Sequence, residues 1–199
     1  HVVDDDQHLR ESIADLLQFA GYEVITWPSA QSFLEGFRYP DLPTVIVTDM
    51  RMPGLNGLDL HQAMAHRHQG VPVIYISGET SVQQSITAMK LGAVDFLLKP
   101  FTAQGLLTAI EKGLSQDQAL RQQRHDRQIL EGKLDGLTRR EREVFMLLIK
   151  GHNNAEIMQA LNLSLPTTKQ YKGAVMKKLG VSSLAQLIAW GNAGGIESN

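Results

Sequence analysis

Side chains that could bind phosphate or a metal ion follow four short apolar runs in the first half of the chain. Asp4–Asp6 follow "HVV", Asp49 follows "TVIVT", Ser77 follows "PVIYI" and Lys99 follows "VDFLL". Carboxylates brought to one place repel one another, and a hard divalent cation such as Mg²⁺, or Mn²⁺ in its place, relieves that repulsion through oxygen ligands. Asp49 could then act as an ionised nucleophile towards phosphorus, with Lys99 and Ser77 contacting the phosphoryl oxygens. The residues together predict a phosphate and metal pocket.

Each of these residues also has a simple structural interpretation. An acidic run after a strand often caps the next helix, and an aspartate close to a proline and glycines is an ordinary turn residue. A lysine before a proline is usually solvated. The prediction of a pocket therefore rests on the occurrence of all these residues at successive run ends.

A parallel sheet would bring the four run ends together. Short β-branched runs at 1–3, 22–27, 44–49, 72–77 and 94–99 alternate with amphipathic stretches of helical spacing. This alternation predicts an α/β fold, a doubly wound five-stranded parallel sheet with helices on both faces. In such sheets the functional crevice lies at the carboxyl ends of the strands.

Residues 114–134 differ from the segments on either side. The stretch "SQDQALRQQRHDRQILEGK" is polar, rich in helix-forming residues and free of proline, which predicts a long helix that is exposed on most faces. Its leucines form only a broken stripe, so a solvated connecting helix is favoured over a coiled-coil contact, which stays open. The predicted organisation is a first domain over 1–113, a linker helix over 114–134 and a second domain over 135–199.

The second domain shows four helical segments and no strand pattern. Thr138–Glu141 has the form of a capping box, and Asn153, Ser164 and either Ser182 or Ser183 begin the other segments. The pattern predicts a small all-α four-helix domain.

Two of these segments, 154–161 and 165–179, have the arrangement of a helix-turn-helix, in which the second helix enters the major groove of DNA. Its polar leading face comprises Thr167, Lys169, Gln170 and Lys172, and further positive charge comes from Lys177 and Lys178. Lysines near phosphates give salt-dependent affinity, and polar side chains read base edges. A helical protein-interaction domain with a solvated lysine face is the alternative that this pattern leaves open.

Charge is divided unevenly along the chain. Residues 1–112 carry 13 acidic and 7 basic side chains, and residues 113–199 carry 8 and 12, for net charges of −6 and +4. An acidic front and a basic back predict two modules with different partners, the second partner being a polyanion. The chain has no cysteine, which excludes disulfides and thiolate metal sites and is typical of a reducing compartment. No apolar run approaches the roughly 18 residues of a membrane helix, and no secretory signal pattern opens the chain, so no membrane partner is expected.

Three of the seven histidines occur in "HQAMAHRH", residues 61–68. Spacings of five and two do not bring them onto one face of a helix. We therefore expect solvated surface histidines there and no metal site.

The first domain resembles the receiver domain of response regulators. The resemblance is carried by the acidic run after "VV", by "DMRMPGLNG", "ISG" and "KPF", and "TDMRMPG" with "AMKLGAVDFLLKPF" is similar to the FixJ-like branch of the NarL/FixJ family. It implies a flavodoxin-like fold in which Asp49 accepts a phosphoryl group. It further implies that Mg²⁺ binds to Asp5, Asp49 and the backbone carbonyl of Arg51, while Asp4 reaches the ion through water.

The same resemblance implies a conformational switch. Ser77 and Lys99 would contact the phosphoryl group, and the peptide bond after Lys99 would be cis. Phosphorylation would draw Ser77 inward and Phe96, the switch aromatic, would repack behind it, which changes the surface of the fourth helix and fifth strand. Ordinary core packing of Phe96 is compatible with the same position. Arg51 and Glu79 occupy the positions at the rim of the pocket.

Residues 135–195 resemble the LuxR/NarL-type helix-turn-helix domain through "LTRREREVFMLLIKGHNNAEI" and "MKKLGVSS". The resemblance places Lys169, Gln170 and Gly173 towards bases, Ser164, Thr167 and Tyr171 near phosphates, and Lys172 beside them. Tyr171 stands where the family usually has histidine and Thr168 where it usually has valine. The operator sequence therefore does not transfer from better-known members.

Together the two resemblances imply a DNA-binding response regulator of a two-component system in the bacterial cytoplasm. A sensor histidine kinase would phosphorylate Asp49, and the chain would then control transcription at double-stranded DNA, as a homodimer and with RNA polymerase as a further partner. We expect it to catalyse only its own phosphorylation and dephosphorylation, and not to act as an enzyme on other substrates. Two other classes stay open: a phosphatase with Asp49 as covalent nucleophile, for which Met50 and Arg51 offer no general acid, and a phosphorylation-dependent adaptor for protein or RNA.

Overall fold

The computed structural model describes residues 1–68, 70–78 and 82–193. The chain divides into two compact units, His1–Arg121 and Gln122–Asn199. Glu79 and the last residues of the predicted second domain lie outside the described residues. The domain limits at 113 and 134 stay predictions.

The first unit is built on a parallel sheet with strand order β2-β1-β3-β4-β5. Its elements are β1 (Val2–Val3), α1 (Gln7–Phe19), β2 (Thr26–Trp27), α2 (Ala30–Gly36), β3 (Ile46–Asp49), α3 (Gly57–His68), β4 (Val73–Ser77), α4 (Val82–Lys90), β5 (Asp95–Leu98) and the first part of α5 (Ala103–Asp135). The predicted five-stranded fold is confirmed. The second strand covers only Thr26 and Trp27 of the run 22–27, which pair with Val2 and Val3 of β1.

Two separate cores lie on the two faces of this sheet. Successive side chains of a strand point to opposite faces, so Ile46 joins one core and Val47 the other. The first core also contains residues of α2, α3 and α4, among them Phe33 and Leu60, and the second contains residues of α1 and α5, among them Leu106. Helices therefore cover both faces, as in a doubly wound fold.

Helix α5 runs without interruption from Ala103 to Asp135, which confirms the predicted long helix. The prediction that residues 114–134 are exposed on most faces also holds for most of the described side chains, and Asp117 is an exception. Asp117 is fully buried and accepts hydrogen bonds from the Tyr39 hydroxyl and the Thr44 amide, each at 2.9 Å. Arg121 pairs with Asp117 at 2.6 Å and lies over the Tyr39 ring at 4.4 Å. Asp117 and Arg121 thus belong to the first unit, although they follow residue 114.

The second unit contains α6 (Arg139–Ile149), α7 (Asn154–Leu161), α8 (Leu165–Leu179) and α9 (Leu184–Ala193). Capping boxes begin α6 at Thr138 and α7 at Asn153, and the Ser164 side chain caps α8. Apolar residues of all four helices form one core, among them Phe145, Ile157, Val175 and Leu187. The predicted all-α unit is confirmed. None of the helices in the described ranges combines the length and apolar character of a membrane span.

Candidate functional site

The predicted acidic, hydroxyl and lysine side chains meet at the carboxyl edge of the sheet. Asp4 follows β1, Asp49 ends β3, Ser77 ends β4 and Lys99 follows β5. These four strands are adjacent and parallel, so their ends fall on one edge. One carboxylate oxygen from each of Asp4, Asp5 and Asp49 lies within 4.8 Å of the other two. Three such oxygens at this spacing fit a hard divalent cation that prefers oxygen ligands.

Lys99 joins two of these carboxylates. Its Nζ lies 2.5 Å from Asp49 Oδ2 and 3.3 Å from Asp4 Oδ2. The exposed fractions of the side chains are 25% for Lys99, 13% for Asp49 and 1% for Asp4. Because the ion pairs are shielded from water, they are stronger than pairs on an open surface.

The electrostatics of the cluster show in two pKa values. Burial raises the pKa of Asp4, and the Asp6 amide and Lys99 only partly oppose this effect. Burial alone would lower the pKa of Lys99, but the hydrogen bond to Asp49 and the charges of Asp4 and Asp49 outweigh it and raise the pKa. Lys99 is therefore a permanent cation at neutral pH. It faces an excess of negative charge.

The loop after β3 fixes the Asp49 carboxylate. The backbone amide of Arg51 donates to Asp49 Oδ1 at 3.0 Å, while the role of its carbonyl as a metal ligand stays a prediction. Gly57 begins α3 with its amide 3.2 Å from the Met50 carbonyl. A Cβ at Gly57 would overlap with the carbonyl oxygen of Asp49, so a glycine is needed for α3 to approach this strand end.

The two predicted switch residues lie on β4 and β5. Ser77 is buried, and its carbonyl accepts a hydrogen bond of 2.7 Å from the Lys99 amide. The peptide bond between Lys99 and Pro100 is cis, as predicted. Phe96 is half-buried, packs against the core, and has its ring centroid 6.4 Å from that of Tyr75. Glu79, predicted at the rim, lies outside the described residues.

The expectation of solvated histidines is wrong for His61. Its side chain is buried, and Nδ1 lies 2.9 Å from the Tyr75 hydroxyl. Burial lowers the pKa of His61 and raises that of Tyr75. The signal that could have revealed this is the helical spacing of His61 with Leu60 and Met64, which are both fully buried on α3. His66 is exposed, as expected.

Helix α8 presents a polar face on the side opposite to its core contacts. Thr168, Val175 and Leu179 are buried on one side. The exposed residues on the other side include Lys169, Gln170, Gly173 and Lys177. At the start of the helix the Ser164 and Thr167 hydroxyls lie 2.8 Å apart. Helix α7 packs against α8, which is the arrangement expected of a helix-turn-helix.

Three other residues of α8 are less available for DNA contact than predicted, since two are half-buried and the third is ion-paired. Tyr171 and Lys172 are half-buried, and Tyr171 packs against the core of the second unit. Lys178, predicted to add free positive charge, is paired with Glu141 at 2.6 Å and donates to the Gly136 carbonyl at 3.1 Å. Its charge is therefore largely neutralised within the unit. Neither partner is adjacent to Lys178 in sequence, so the local pattern gave no sign of the pair.

Comparison with known families assigns each unit separately. Residues 1–111 match the response regulator receiver domain, and residues 135–190 match the bacterial regulatory proteins of the luxR family.

Several characterised proteins are similar over nearly the whole chain. Nodulation protein W of Bradyrhizobium diazoefficiens is 37% identical over 198 residues, which cover 100% of this chain and 87% of that protein. The transcriptional regulatory protein FixJ of Rhizobium meliloti is 35% identical over 196 residues, covering 98% and 95%.

Two solved structures extend the similarity to the fold. The response regulator StyR is 40% identical, covers 96% of both chains and has a TM-score of 0.79. Full-length FixJ from B. japonicum is 34% identical, covers 99% of this chain and 97% of its own, and has a TM-score of 0.57.

Proposed function

The chain belongs to the response regulators that join a receiver domain to a LuxR-type DNA-binding domain, and we propose that Asp49 is the residue on which it is phosphorylated. It is a DNA-binding response regulator, and its receiver domain implies a kinase as a partner. One observation supports the choice of Asp49 above all. Its carboxylate lies at the end of β3, grouped with those of Asp4 and Asp5 and ion-paired with Lys99.

The proposed chemistry is a transfer of phosphoryl from a phosphohistidine of a sensor kinase. An Asp49 carboxylate oxygen attacks phosphorus, the P–N bond breaks, and the histidine leaves as the kinase's imidazole while an acyl phosphate forms. Asp4, Asp5, Asp49 and the Arg51 carbonyl would hold Mg²⁺ or Mn²⁺, which when bound offsets negative charge on the phosphoryl oxygens.

The residues around Asp49 supply the rest of the stabilisation. In this structure the Lys99 ammonium is bonded to the carboxylate oxygens of Asp49 and Asp4. Once Asp49 carries the phosphoryl group, Lys99 pairs with a phosphoryl oxygen instead, because that group carries the negative charge. The Ser77 hydroxyl then donates to another phosphoryl oxygen. Phe96 repacks as Ser77 moves, and the α4–β5 surface changes with it.

The output of this change is binding to double-stranded DNA. We assign base contacts to the exposed residues Lys169, Gln170 and Gly173, and phosphate contacts to Ser164, Thr167, Tyr171 and Lys172. The exposure of the first three on one side of α8 supports this assignment. For Tyr171, whose ring packs against the core, the contact would be made by the hydroxyl.

We further propose that the phosphorylated protein is a homodimer that places two α8 helices on adjacent half-sites. Exposed apolar side chains on α4 and β5, namely Ile86, Met89 and Leu98, support an interface on that surface. RNA polymerase is the proposed further partner, and the bacterial cytoplasm, where the target DNA lies, is the proposed location. The chemistry is confined to the chain's own phosphorylation, so we expect no turnover of other phosphoesters.

Duplex binding with and without phosphorylation tests this function. Binders are selected from a randomised duplex pool, and their affinity is measured before and after treatment with acetyl phosphate and Mg²⁺. Wild type should gain affinity, and so should Asp15→Asn, which changes an exposed aspartate on α1. Asp49→Asn should show no gain. A gain that persists in Asp49→Asn would rule out the proposed site.

A further inference from the structure

A buried hydrogen-bonded pair lies beside the switch aromatic and has no part in the proposed phosphoryl chemistry. His61 of α3 and Tyr75 of β4 are 6% and 0% exposed, and His61 Nδ1 is 2.9 Å from the Tyr75 hydroxyl. The two rings lie 5.8 Å apart at an angle of 48°. An isolated polar group at this depth would be costly, so the bond fixes the position of both side chains.

Tyr75 connects this pair to the switch. It is the register partner of Phe96 across β4 and β5, and the two ring centroids are 6.4 Å apart. Ser77 lies two residues further along β4, so its side chain points to the same face of the sheet as that of Tyr75. Tyr75 is therefore the ring beside Phe96 and lies on the same face of the sheet as the Ser77 side chain.

Helix α3 connects the same pair to the phosphoryl acceptor. Gly57, the first residue of α3, lies directly against the backbone of Asp49. His61 follows one turn later and therefore lies on the same side of the helix. The first turn of α3 thus contacts the acceptor strand, and the next turn is hydrogen-bonded to Tyr75, the ring beside Phe96.

We propose that His61 is a positioning residue of the phosphorylation switch: by holding the Tyr75 ring, it stabilises the arrangement of Phe96 that exists before phosphorylation. The inference rests on the proposed function, since it assumes that Phe96 responds to phosphorylation of Asp49. Inward repacking of Phe96 would displace the neighbouring Tyr75 ring. A ring that is hydrogen-bonded to a separate helix is displaced less readily than one held by packing alone.

Variants that remove the bond but keep the packing test this proposal. Tyr75→Phe deletes only the hydroxyl, and His61→Leu deletes the other partner. The double variant leaves no unpaired polar atom and should be the best tolerated of the three. Tyr39→Phe is the matched control, because its hydroxyl also makes a hydrogen bond of 2.9 Å within the first unit, to Asp117.

The readout is the response of Phe96 to beryllofluoride with Mg²⁺, a mimic of the phosphoryl group. The full chain is labelled with fluorophenylalanine and studied by fluorine NMR. The six phenylalanines give at most a few fluorine signals. The signal of Phe96 is identified by its absence from the spectrum of Phe96→Leu. Because beryllofluoride selects the switched state, the midpoint of its titration falls as the population of that state before binding rises.

We expect the midpoint to fall about threefold to tenfold in each single variant, the effect of one buried hydrogen bond. The double variant should match a single variant, since both lose the same bond, and Tyr39→Phe should leave the midpoint unchanged. An unchanged or higher midpoint in the single variants, or an equal fall in Tyr39→Phe, overturns the proposal. If the Phe96 signal of the wild type does not respond to beryllofluoride at all, the proposed function itself fails.

Discussion

The Lys99 ammonium lies 2.5 Å from the Asp49 carboxylate, although the two residues are separated by 50 positions in the chain. The same nitrogen reaches Asp4 at 3.3 Å. One cation therefore partly neutralises an acidic cluster that would otherwise repel an anionic phosphoryl donor. Under the proposed function, Lys99 would leave this carboxylate for the phosphoryl group once Asp49 is phosphorylated.

Replacing Lys99 should separate metal binding from signalling. In Lys99→Met the positive charge beside the carboxylates is lost while most of the apolar stem remains. Removal of a cation that is bonded to two of the carboxylates should raise Mg²⁺ affinity by roughly tenfold or more, because its repulsion of a divalent ion a few ångströms away exceeds about 1 kcal/mol even at the dielectric of water. The gain in DNA affinity on treatment with acetyl phosphate should disappear. Titration calorimetry with Mg²⁺ checks the first effect, with Lys90→Met, a change of an exposed lysine on α4, as the control. Unchanged or weaker Mg²⁺ binding in Lys99→Met would contradict this account of the cluster.

Lys169 should contribute to sequence preference rather than to general affinity. Lys169→Ala is expected to cost about 1–3 kcal/mol on the selected duplex and much less on an unrelated one, as for a residue that contacts a base edge. Fluorescence anisotropy at fixed salt measures both. Lys90→Ala should change neither affinity. An equal loss on both duplexes would instead assign Lys169 to a phosphate.

Gly173 is expected to lower the stability of α8 in exchange for a DNA contact. A Cβ at this exposed position would meet no heavy atom within 4 Å, so Gly173→Ala should stabilise the second unit by about 1 kcal/mol. It should also weaken binding of the selected duplex, because the added methyl group comes between helix and base. The matched control is Gly132→Ala, at an equally open helical position in α5. It should stabilise the chain without changing DNA binding. Should both variants bind DNA like the wild type, Gly173 is not at the interface.

The Glu141–Lys178 pair should make the stability of the second unit dependent on pH. The hydrogen bond from Lys178 and that from the Thr138 amide lower the pKa of Glu141 below its ordinary value of 4.5. A lowered folded-state pKa means that the stabilisation is present above 4.5 and is lost as pH falls through the lowered value. Glu141→Gln should therefore cost about 1 kcal/mol at neutral pH, the contribution of one such interaction, and progressively less as pH falls below 4.5.

Urea unfolding of the two forms at neutral and acidic pH measures this difference. The control is Glu143→Gln on the same helix, whose partners Arg139 and Arg140 are exposed. It should cause little change at either pH, because exposed ion pairs contribute little. A cost of Glu141→Gln that does not depend on pH would show that the charge of Glu141 is not what stabilises the unit.

The sequence predicted the pocket better than it predicted the contacts between elements. Apolar runs that each end in a functional group suffice to place Asp4, Asp49, Ser77 and Lys99 at one edge, because parallel strands bring their ends together. The starts of the helices could also be predicted from the sequence, since a capping box depends on residues only three positions apart, as at Thr138 and Glu141.

Contacts between distant segments could not be read in this way. The burial of Asp117 depends on Tyr39 and Thr44, more than 70 positions earlier, so the local sequence gave no sign that this one aspartate of a largely exposed stretch is buried. The ion pair of Lys178 likewise depends on Glu141, which lies 37 positions away in the chain. For His61 a local signal existed, in the spacing with buried neighbours on α3, but a histidine on an apolar face has many interpretations until its partner Tyr75 is known.

The most direct test of the central claim is the site of phosphorylation itself. The chain is incubated with acetyl phosphate and Mg²⁺, and its intact mass and peptide masses are determined by mass spectrometry. The account predicts one phosphoryl group, located on Asp49, which is absent in Asp49→Asn and forms more slowly in Asp5→Asn. A phosphoryl group that forms equally well in Asp49→Asn, or that maps to another residue in the wild type, would contradict it.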